Sequence, residues 1–545
     1  MGDLLAAVRA ATIDFEAPDA DQARTTRDEV ADQMSDYILP RLVQLDAPLL
    51  AVVGGSTGAG KSTLVNSIVG SAVTPAGILR PTTRSPMLIH HPDDAEWFSR
   101  DRLLPDLERV GPDGAASTYG LQLVETTEVP SGLALLDAPD VDSIDEVNRD
   151  LAAQLLAAAD LWLFITSAAR YADQVPWEYL RRAADRATSL AVVLDRTDDE
   201  AVDEVRTHLA RMMTARGLSD SPLFTVPEIQ LTDEGLIPAE RVAPIAGWLR
   251  DLAADPRARR LIVGRTLDGA VRHVVLRSHD VADSMEAQIE VADILHGGAT
   301  DGYADAVEQV GGHAADGSLM TGEVLARWQA LVGTGDLLTV LDGGSIGRSD
   351  DLAGVIEAVE DSVRLMIVDA ADRAAEQVAE RWATTPSGQR LVDGGTVDRA
   401  STDLRVRAER VVRDWRGGVT ASLRALAKHD IERVDQAAEP LTLAVLVEVL
   451  VSQAEGRGSV PDDSRRLLEA AFDAGGASEL VEVAHQDLVS RVEALFDTDR
   501  DRYVRKVQDP AGLEAEQLAI RDAARSVEAA RHDELVTPSG EDEDE

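Results

Sequence analysis

The strongest constraint on the fold is the segment 49–66, which reads LLAVVGGSTGAGKSTLVN. Within it, Gly55, Gly60, Lys61 and Ser62 occupy the fixed positions of the phosphate-loop pattern GxxxxGK[ST]. An apolar run of strand length precedes the loop, and apolar residues at helical spacing follow it. The segment therefore predicts a strand, a phosphate-binding loop and a helix in that order, as in α/β nucleotide-binding domains.

Each part of this loop has a role in holding phosphate. Backbone N–H groups of a glycine-rich loop surround phosphate oxygens, and the positive end of the next helix points at them. Lys61 would reach the outer phosphates, and Ser62 would ligate Mg²⁺. The residues predicted to bind the nucleotide here are Gly55, Ser56, Thr57, Gly58, Ala59, Gly60, Lys61, Ser62 and Thr63.

Charge and composition limit the partners. The 545 residues include 98 acidic and 53 basic side chains, so the formal net charge is −45, which repels nucleic acid and anionic lipid. The chain has no cysteine, which excludes disulfides and thiolate metal sites and favours a reducing compartment. No signal peptide is apparent, and the longest apolar run, 441–451, has about half of the ~20 residues of a membrane span. We expect a cytoplasmic protein that binds no nucleic acid and has no span.

The order of apolar segments predicts an α/β domain with a mostly parallel sheet, followed by an all-α helical bundle or stalk. Runs of strand length alternate with helical segments at 49–53, 87–90, 121–125, 133–137, 161–165, 190–194 and 223–226. After residue 257, long segments with apolar residues three and four apart are separated by turn-forming breaks such as 386–395. We predict a helical segment at 1–46, the nucleotide-binding domain at 47–256, the helical domain at 257–535 and an acidic disordered tail at 536–545.

Two further motifs follow the loop at sequence spacings that suit a phosphate and Mg²⁺ site. Thr82 and Thr83, in the segment RPTTR, lie where a switch threonine would close over the γ-phosphate and Mg²⁺, and Thr83 is favoured. A later apolar strand ends at Asp137 within DAPD, where a carboxylate can hold Mg²⁺ through water. We therefore predict Lys61, Thr83 and Asp137 as catalytic residues and Ser62, Thr83 and Asp137 as magnesium ligands.

With GxxxxGKS, a PTT-type switch and a DxP strand end in this order, the chain resembles the dynamin-like and related translation-factor-type GTPases, bacterial members above all. The resemblance covers about residues 46–255 at motif level, whereas the helical half resembles only the general architecture of dynamin-like stalks. It implies GTP and Mg²⁺ as bound species and a conformational change or assembly coupled to the nucleotide. It also implies a homo-dimer or a hetero-oligomer with a membrane-associated GTPase relative, through which this acidic chain would reach a membrane.

The chain departs from the family pattern in the residues for hydrolysis. Asp140 stands at the glycine of DxPG, which reduces backbone flexibility and adds a negative charge beside the phosphates. Val141 follows where many small GTPases orient the attacking water with glutamine, and Thr57 stands where dynamins carry a loop glutamine. We expect hydrolysis to be slow or assisted by a partner, and a nucleotide-binding scaffold with little hydrolysis is the alternative.

The element that reads the base is also altered. The pattern [NT]KxD falls on Asp195, Arg196, Thr197 and Asp198, directly after a predicted strand. Asp198 can accept hydrogen bonds from guanine and the stem of Arg196 can cover the base, but Asp195 has no donor where asparagine would have one. Asp195, Arg196 and Asp198 are thus predicted to bind the base. GTP is favoured, with ATP as the alternative.

Overall fold

The computed structural model describes residues 1–75, 85–98, 104, 107–110, 120–141, 146–185, 188–344, 346–395, 397–427, 431–454 and 462–536. The chain divides into two compact units. Unit 1 comprises Met1–Ile13, Asp21–Met285 and Ala515–Glu545, and unit 2 comprises Asp14–Ala20 and Glu286–Glu514. The domain boundaries predicted at residues 46, 256 and 535 stay predictions.

A single sheet lies at the centre of unit 1. Its described strands are β1 Leu49–Gly55, β2 Met87–His90, β3 Glu108–Val110, β4 Gly120–Glu125, β5 Leu133–Asp137, β6 Leu161–Ser167, β7 Ser189–Thr197 and β8 Leu223–Pro227. They pair in the order β3-β4-β2-β5-β1-β6-β7-β8. All neighbours run parallel except β2 and β5, which are antiparallel. The predicted mostly parallel sheet is confirmed.

Helices cover both faces of this sheet. Those of unit 1 that come before residue 286 are α1 Gly2–Ala10, α2 Ala20–Gln33, α3 Leu39–Val43, α4 Lys61–Val69, α5 Glu146–Ala157, α6 Gln174–Asp185, α7 Val202–Thr214, α8 Ala239–Ala254 and the first half of α9 Pro256–His313. Leu50 and Val52 of β1 point into a core shared with α5, α6 and α7. Ala51 and Val53 point into the opposite core with α4 and α8. Burial on both faces explains why β1 is a continuous apolar run.

A buried ion pair attaches the N-terminal helices to the sheet of unit 1. Arg41 of α3 forms a salt bridge with Asp160, the residue before β6, and donates to Pro48 O at 2.8 Å. Asp160 also accepts from Tyr37 Oη at 3.1 Å and from Leu50 N at 2.7 Å. Burial raises the pKa of Asp160, while the Arg41 charge opposes that rise. The N-terminal helices are therefore part of unit 1.

Unit 2 is helical, which confirms the predicted second half of the fold. After α9 the chain forms α10 Gly322–Val332, α11 Ser349–Trp382, α12 Pro386–Asp393, α13 Leu404–Leu426, α14 Ile431–Gln436, α15 Ala438–Leu450, α16 Asp463–Val504 and α17 Pro510–Val536, whose residues from Ala515 onward belong to unit 1. Among the described residues, no helix has both the length and the apolar character of a membrane span.

The break predicted at 386–395 is wrong in part, because residues 386–393 form α12. Pro386 is the first helical residue, where its missing N–H costs nothing, and Thr385 Oγ1 accepts from Gly388 N at 3.0 Å as the N-cap. Conversely, the sequence does not indicate the break inside α16. Its two helical segments meet at Asp473, whose φ of 62° interrupts the helix.

Candidate nucleotide-binding site

The phosphate loop connects the buried strand β1 to α4 at the carboxyl edge of the sheet. Gly58 and Gly60 have φ of +76° and +95°, in the left-handed region that favours glycine. A Cβ at Gly60 would also clash with Asp195 Oδ2, and one at Gly55 would clash with Ile165 O. These glycines therefore serve close packing of the loop against β6 and β7 as well as its turn.

Lys61, the first residue of α4, lies under the loop with only 6% of its surface exposed. Its Nζ donates to Gly55 O at 2.9 Å and to Ser56 O at 3.2 Å. It also forms a salt bridge with Asp140 Oδ1. The lysine predicted to reach the outer phosphates is thus held at the loop by two carbonyls and one carboxylate.

Ser62 and Asp137 meet beside the loop as the motif order predicts. Ser62 Oγ donates to Asp137 Oδ2 at 2.7 Å. Asp137 ends β5 and is fully buried, and burial raises its pKa to about 6 against the opposing effects of the Ser62 hydrogen bond and the Lys61 charge. Asp137 Oδ1 makes no hydrogen bond to any described residue. Two hard oxygen donors, one of them buried with unused acceptor capacity, fit the ligand preference of Mg²⁺.

Asn66 is a site residue that the sequence reasoning missed. Its Nδ2 donates to Thr74 O at 2.8 Å, while its Oδ1 accepts from Val73 N at 3.0 Å and from Thr74 N at 2.8 Å. The Thr74 hydroxyl donates to Asn66 Oδ1 at 3.1 Å and lies near enough to Asp137 to lower the pKa of that carboxyl. Asn66 therefore fixes the connection after α4 next to the carboxylate, and an asparagine directly after the apolar pair Leu64 and Val65 was the available signal.

The connection after β5 runs alongside the phosphate loop. Ala138 N donates to Val53 O at 3.2 Å, and Val141 N donates to Gly55 O at 3.4 Å. Val141 is fully buried. It packs in the core, and as a valine it has no polar group with which to orient a water.

Of the predicted base-reading residues, Asp195 and Arg196 lie at the carboxyl end of β7 and Asp198 directly after it. Asp195 is 5% exposed and packs against Gly60, and burial raises its pKa to about 6. Arg196 has a φ of +54° and a half-exposed side chain whose Nε lies 3.9 Å from Asp195 Oδ2. Asp198 is exposed at the end of the same segment. Asp195 and Arg196 thus adjoin the phosphate loop at Gly60.

The structure brings most of the predicted residues to one edge of the sheet. The loop 55–63, Asp137 and Asp195 are contributed by the carboxyl ends of β1, β5 and β7. Thr82 and Thr83 lie outside the described residues, so the switch threonine stays a prediction. The described residues contain no group of three or more His, Asp or Glu side chains that could hold a metal ion. A magnesium ion here would need phosphate or water oxygens as well.

Part of the chain matches a known protein family. Residues 50–195 match the model of the dynamin family. The chain is also 21% identical over 189 residues to "Probable transmembrane GTPase FZO-like, chloroplastic" of Arabidopsis thaliana, and this match covers 33% of the chain. The matched region spans only 19% of that relative's length.

Solved structures give weaker likenesses. A structure described as "An oligomerised bacterial dynamin pair provides a mechanism for the long-range sensing and tethering of membranes" is 10% identical with a TM-score of 0.42, and the match covers 95% of this chain and 96% of that one. Toc33 from Arabidopsis thaliana, in complex with Mg²⁺ and GMPPNP, is 14% identical with a TM-score of 0.22, covering 46% and 93% of the two chains.

Proposed function

Because residues 50–195 match the model of the dynamin family, we propose that this protein is a Mg²⁺-dependent nucleoside triphosphate hydrolase that prefers GTP. The observation that carries the proposal is the arrangement at the start of α4. Lys61 lies beneath the glycine loop, and Ser62 Oγ lies 2.7 Å from the buried carboxylate of Asp137. These are the groups needed to hold phosphates and their counter-ion.

In this proposal the chain's own groups bind and orient the phosphates. The backbone N–H groups of residues 56–60 and the N-terminus of α4 provide the cradle. Ser62 and Asp137 would hold Mg²⁺, together with Thr83, which remains a prediction from sequence. When bound, the ion supplies charge neutralisation on the phosphate oxygens.

The residues for water activation support only slow intrinsic hydrolysis. Val141 is buried and apolar, and Thr57 replaces the loop glutamine of dynamins, so neither supplies the carboxamide that orients an attacking water. We propose that turnover depends on a partner or on self-assembly. A nucleotide-binding scaffold with little hydrolysis is the second candidate, favoured by the same two residues.

Base preference rests on the segment from Asp195 to Asp198. Asp198 accepts from the N1 and N2 groups of guanine in this proposal, and Arg196 covers the base. Asp195, when ionised, only accepts hydrogen bonds. Because Asp195 thus lacks the donor that asparagine would have, the alternative is an ATPase that has kept the phosphate site and lost the reading of guanine.

We further propose that the nucleotide state is coupled to assembly, as a homo-dimer or with a membrane-associated GTPase relative. The support is the family of residues 50–195 and the net charge of −45, which opposes direct binding to anionic lipid. Under this proposal the protein is cytoplasmic and reaches membranes only through that partner. Co-sedimentation with anionic vesicles tests the last point, since strong binding of the isolated protein would contradict it.

Nucleotide binding and turnover provide the central experiment. Calorimetry with GTP and ATP, each with Mg²⁺ or with EDTA, is followed by single-turnover hydrolysis at high protein concentration. Lys61→Ala should abolish binding, whereas Lys506→Ala in unit 2, the matched loss of one lysine, should leave it unchanged. Tight GTP binding with turnover supports the first proposal, binding without turnover supports the scaffold, and a preference for ATP supports the ATPase. Absence of binding to either nucleotide would refute all three.

A further inference from the structure

The ammonium group of Lys61 has no hydrogen-bonding capacity left. A lysine carries three N–H donors and no acceptor. Those of Lys61 are directed at Gly55 O, Ser56 O and Asp140 Oδ1. A phosphate oxygen can therefore bind Lys61 only by replacing one of these three acceptors.

Asp140 is the acceptor that can leave. Gly55 O and Ser56 O belong to the backbone of the loop itself, and Gly55 O also accepts from Val141 N at 3.4 Å. The Asp140 side chain is 23% exposed, compared with 5% for that of Lys61, so rotation about its side-chain bonds takes the carboxylate toward solvent. A carboxylate that stayed would also lie against the negative charge of the incoming phosphate.

We propose that Asp140 is an internal competitor for the phosphate-binding lysine, so that a nucleotide binds at Lys61 only by displacing the Asp140 carboxylate. This inference rests on the proposed function, because it assumes that phosphates reach Lys61. It assigns to Asp140 a role in selecting ligands by their phosphates. A nucleotide whose β- and γ-phosphates reach Lys61 can displace the carboxylate, whereas a monophosphate leaves the ion pair in place.

The expected effect follows from the strength of the bond that is displaced. Asp140→Asn removes the charge while nearly keeping the shape, and Asp140→Ala removes the acceptor altogether. A hydrogen bond to a charged group corresponds to roughly a tenfold to hundredfold change in affinity. We expect both variants to bind GTP tighter by about that range, with ATP gaining equally, because the competition acts on phosphates and not on the base. GMP binding should not change.

The experiment measures the affinities of GTP, ATP and GMP for the full-length protein freed of nucleotide, with Asp140→Asn, Asp140→Ala and two reference variants. Asp46→Asn removes the same charge from unit 1 at an exposed site paired with Arg260, before the amino end of β1 and so at the opposite end of that strand from the loop. Lys61→Ala reports whether binding depends on the lysine at all. Circular dichroism and thermal melting establish that each variant is folded.

A spectroscopic readout tests the ion pair itself. The chain contains only three lysines, Lys61, Lys428 and Lys506, so isotope-labelled lysine gives three side-chain NMR signals, and Lys61→Ala identifies one of them. Without nucleotide, Asp140→Asn should shift the Lys61 signal and leave the other two in place, whereas Asp46→Asn should shift none. GTP should shift the same signal in the wild-type protein.

The outcomes separate this inference from the proposed function. If the wild type binds GTP through Lys61 but neither Asp140 variant gains affinity, the inference is overturned and the proposed function stands. The same holds if Asp140→Asn leaves the NMR signal of Lys61 unchanged. A gain confined to guanine nucleotides, or one shared by GMP, also overturns it. If neither the wild type nor any variant binds a nucleotide, the proposed function is refuted, and the inference that rests on it is refuted as well.

Discussion

Asp195→Asn is the substitution for which the structure gives the most quantitative expectation. Asp195 lies near the carboxyl end of β7, against Gly60, and is 5% exposed. Burial raises its pKa from the ordinary 3.8 to about 6, assisted by the charge of Glu228 and opposed by the backbone N–H and guanidinium of Arg196. The folded protein thus disfavours the ionised form, and an asparagine of the same shape removes that cost.

The magnitude and sign follow from proton linkage. The difference between the two pKa values corresponds to about 3 kcal/mol. Between those two pKa values, the Asp195 carboxyl is protonated in the folded protein and ionised in the unfolded chain. Burial of Asp195 therefore costs no stability below pH 3.8, and the cost grows as pH rises until it is complete above about 6. Asp195→Asn should therefore stabilise unit 1 by up to about 3 kcal/mol at about pH 7.5, and by about half as much at about pH 5.

Thermal melting at the two pH values measures this difference. For a unit of about 300 residues, whose unfolding entropy is roughly 0.6 kcal/mol/K, the gain at about pH 7.5 is up to about 5 °C in Tm. Asp198→Asn, the same change in an exposed residue of the same segment, serves as the control and should alter Tm by less than about 1 °C at either pH. A gain that is equal at the two pH values, or absent at the higher one, would refute the linkage reasoning.

The same variant tests how the base is read in the proposed function. Asparagine restores a donor at this position, and a neutral hydrogen bond contributes about 0.5–1.5 kcal/mol. The ratio of GTP to ATP affinity should therefore rise about twofold to tenfold. Calorimetric titration of the wild type and the variant gives that ratio. An unchanged ratio would show that Asp195 does not face the base.

Three further substitutions have defined expectations. Gly60→Ala should abolish nucleotide binding in calorimetry, because the φ of +95° is strained for alanine and the new methyl group meets Asp195. Arg41→Met should lower the free energy of unfolding of unit 1 by about 3–5 kcal/mol in urea titration, because it leaves Asp160 buried without its counter-charge. Asn66→Ala should weaken Mg²⁺-dependent GTP binding and cost about 2–3 kcal/mol of stability, since it leaves buried backbone groups unpaired.

Matched controls exist for two of these. Gly70 has a φ of +84° with open space around a Cβ, so Gly70→Ala introduces the backbone strain alone and should keep nucleotide binding. Arg260→Met breaks an exposed pair with Asp46 and should cost less than about 1 kcal/mol. Equal effects from test and control in either case would contradict the structural explanation.

The sequence was sufficient where local patterns decide the structure. Each strand predicted from an apolar run is present in the sheet, because a strand buried on both faces requires such a run. The strand that was missed, β3, has three residues and includes the charged Glu108 and Arg109, so no apolar run marks it. Pro386 and Gly388 were interpreted as turn formers, although proline at the first helical position and a threonine cap begin a helix equally well.

The sequence was insufficient where side chains far apart in the chain meet. Asp140 was expected to affect the phosphates, but nothing local shows that it pairs with Lys61, 79 residues earlier. The link between the predicted helical segment 1–46 and the sheet, from Arg41 to Asp160, spans 119 residues and has no local sign either. Such pairs depend on strand order and register, which amphipathic patterns do not encode.

The edge strands of the sheet restrict how copies of this chain can associate. Strand addition between molecules needs a long outer strand with free backbone groups. Here the outer strand β8 has five residues, ends in Pro227 and follows Pro222, while β3 at the other edge has three residues, two of them charged. Prolines and charges at short edges oppose intermolecular sheet growth. Assembly of the kind proposed for this protein would therefore use side-chain surfaces, and the sheet should stay closed to amyloid-like extension.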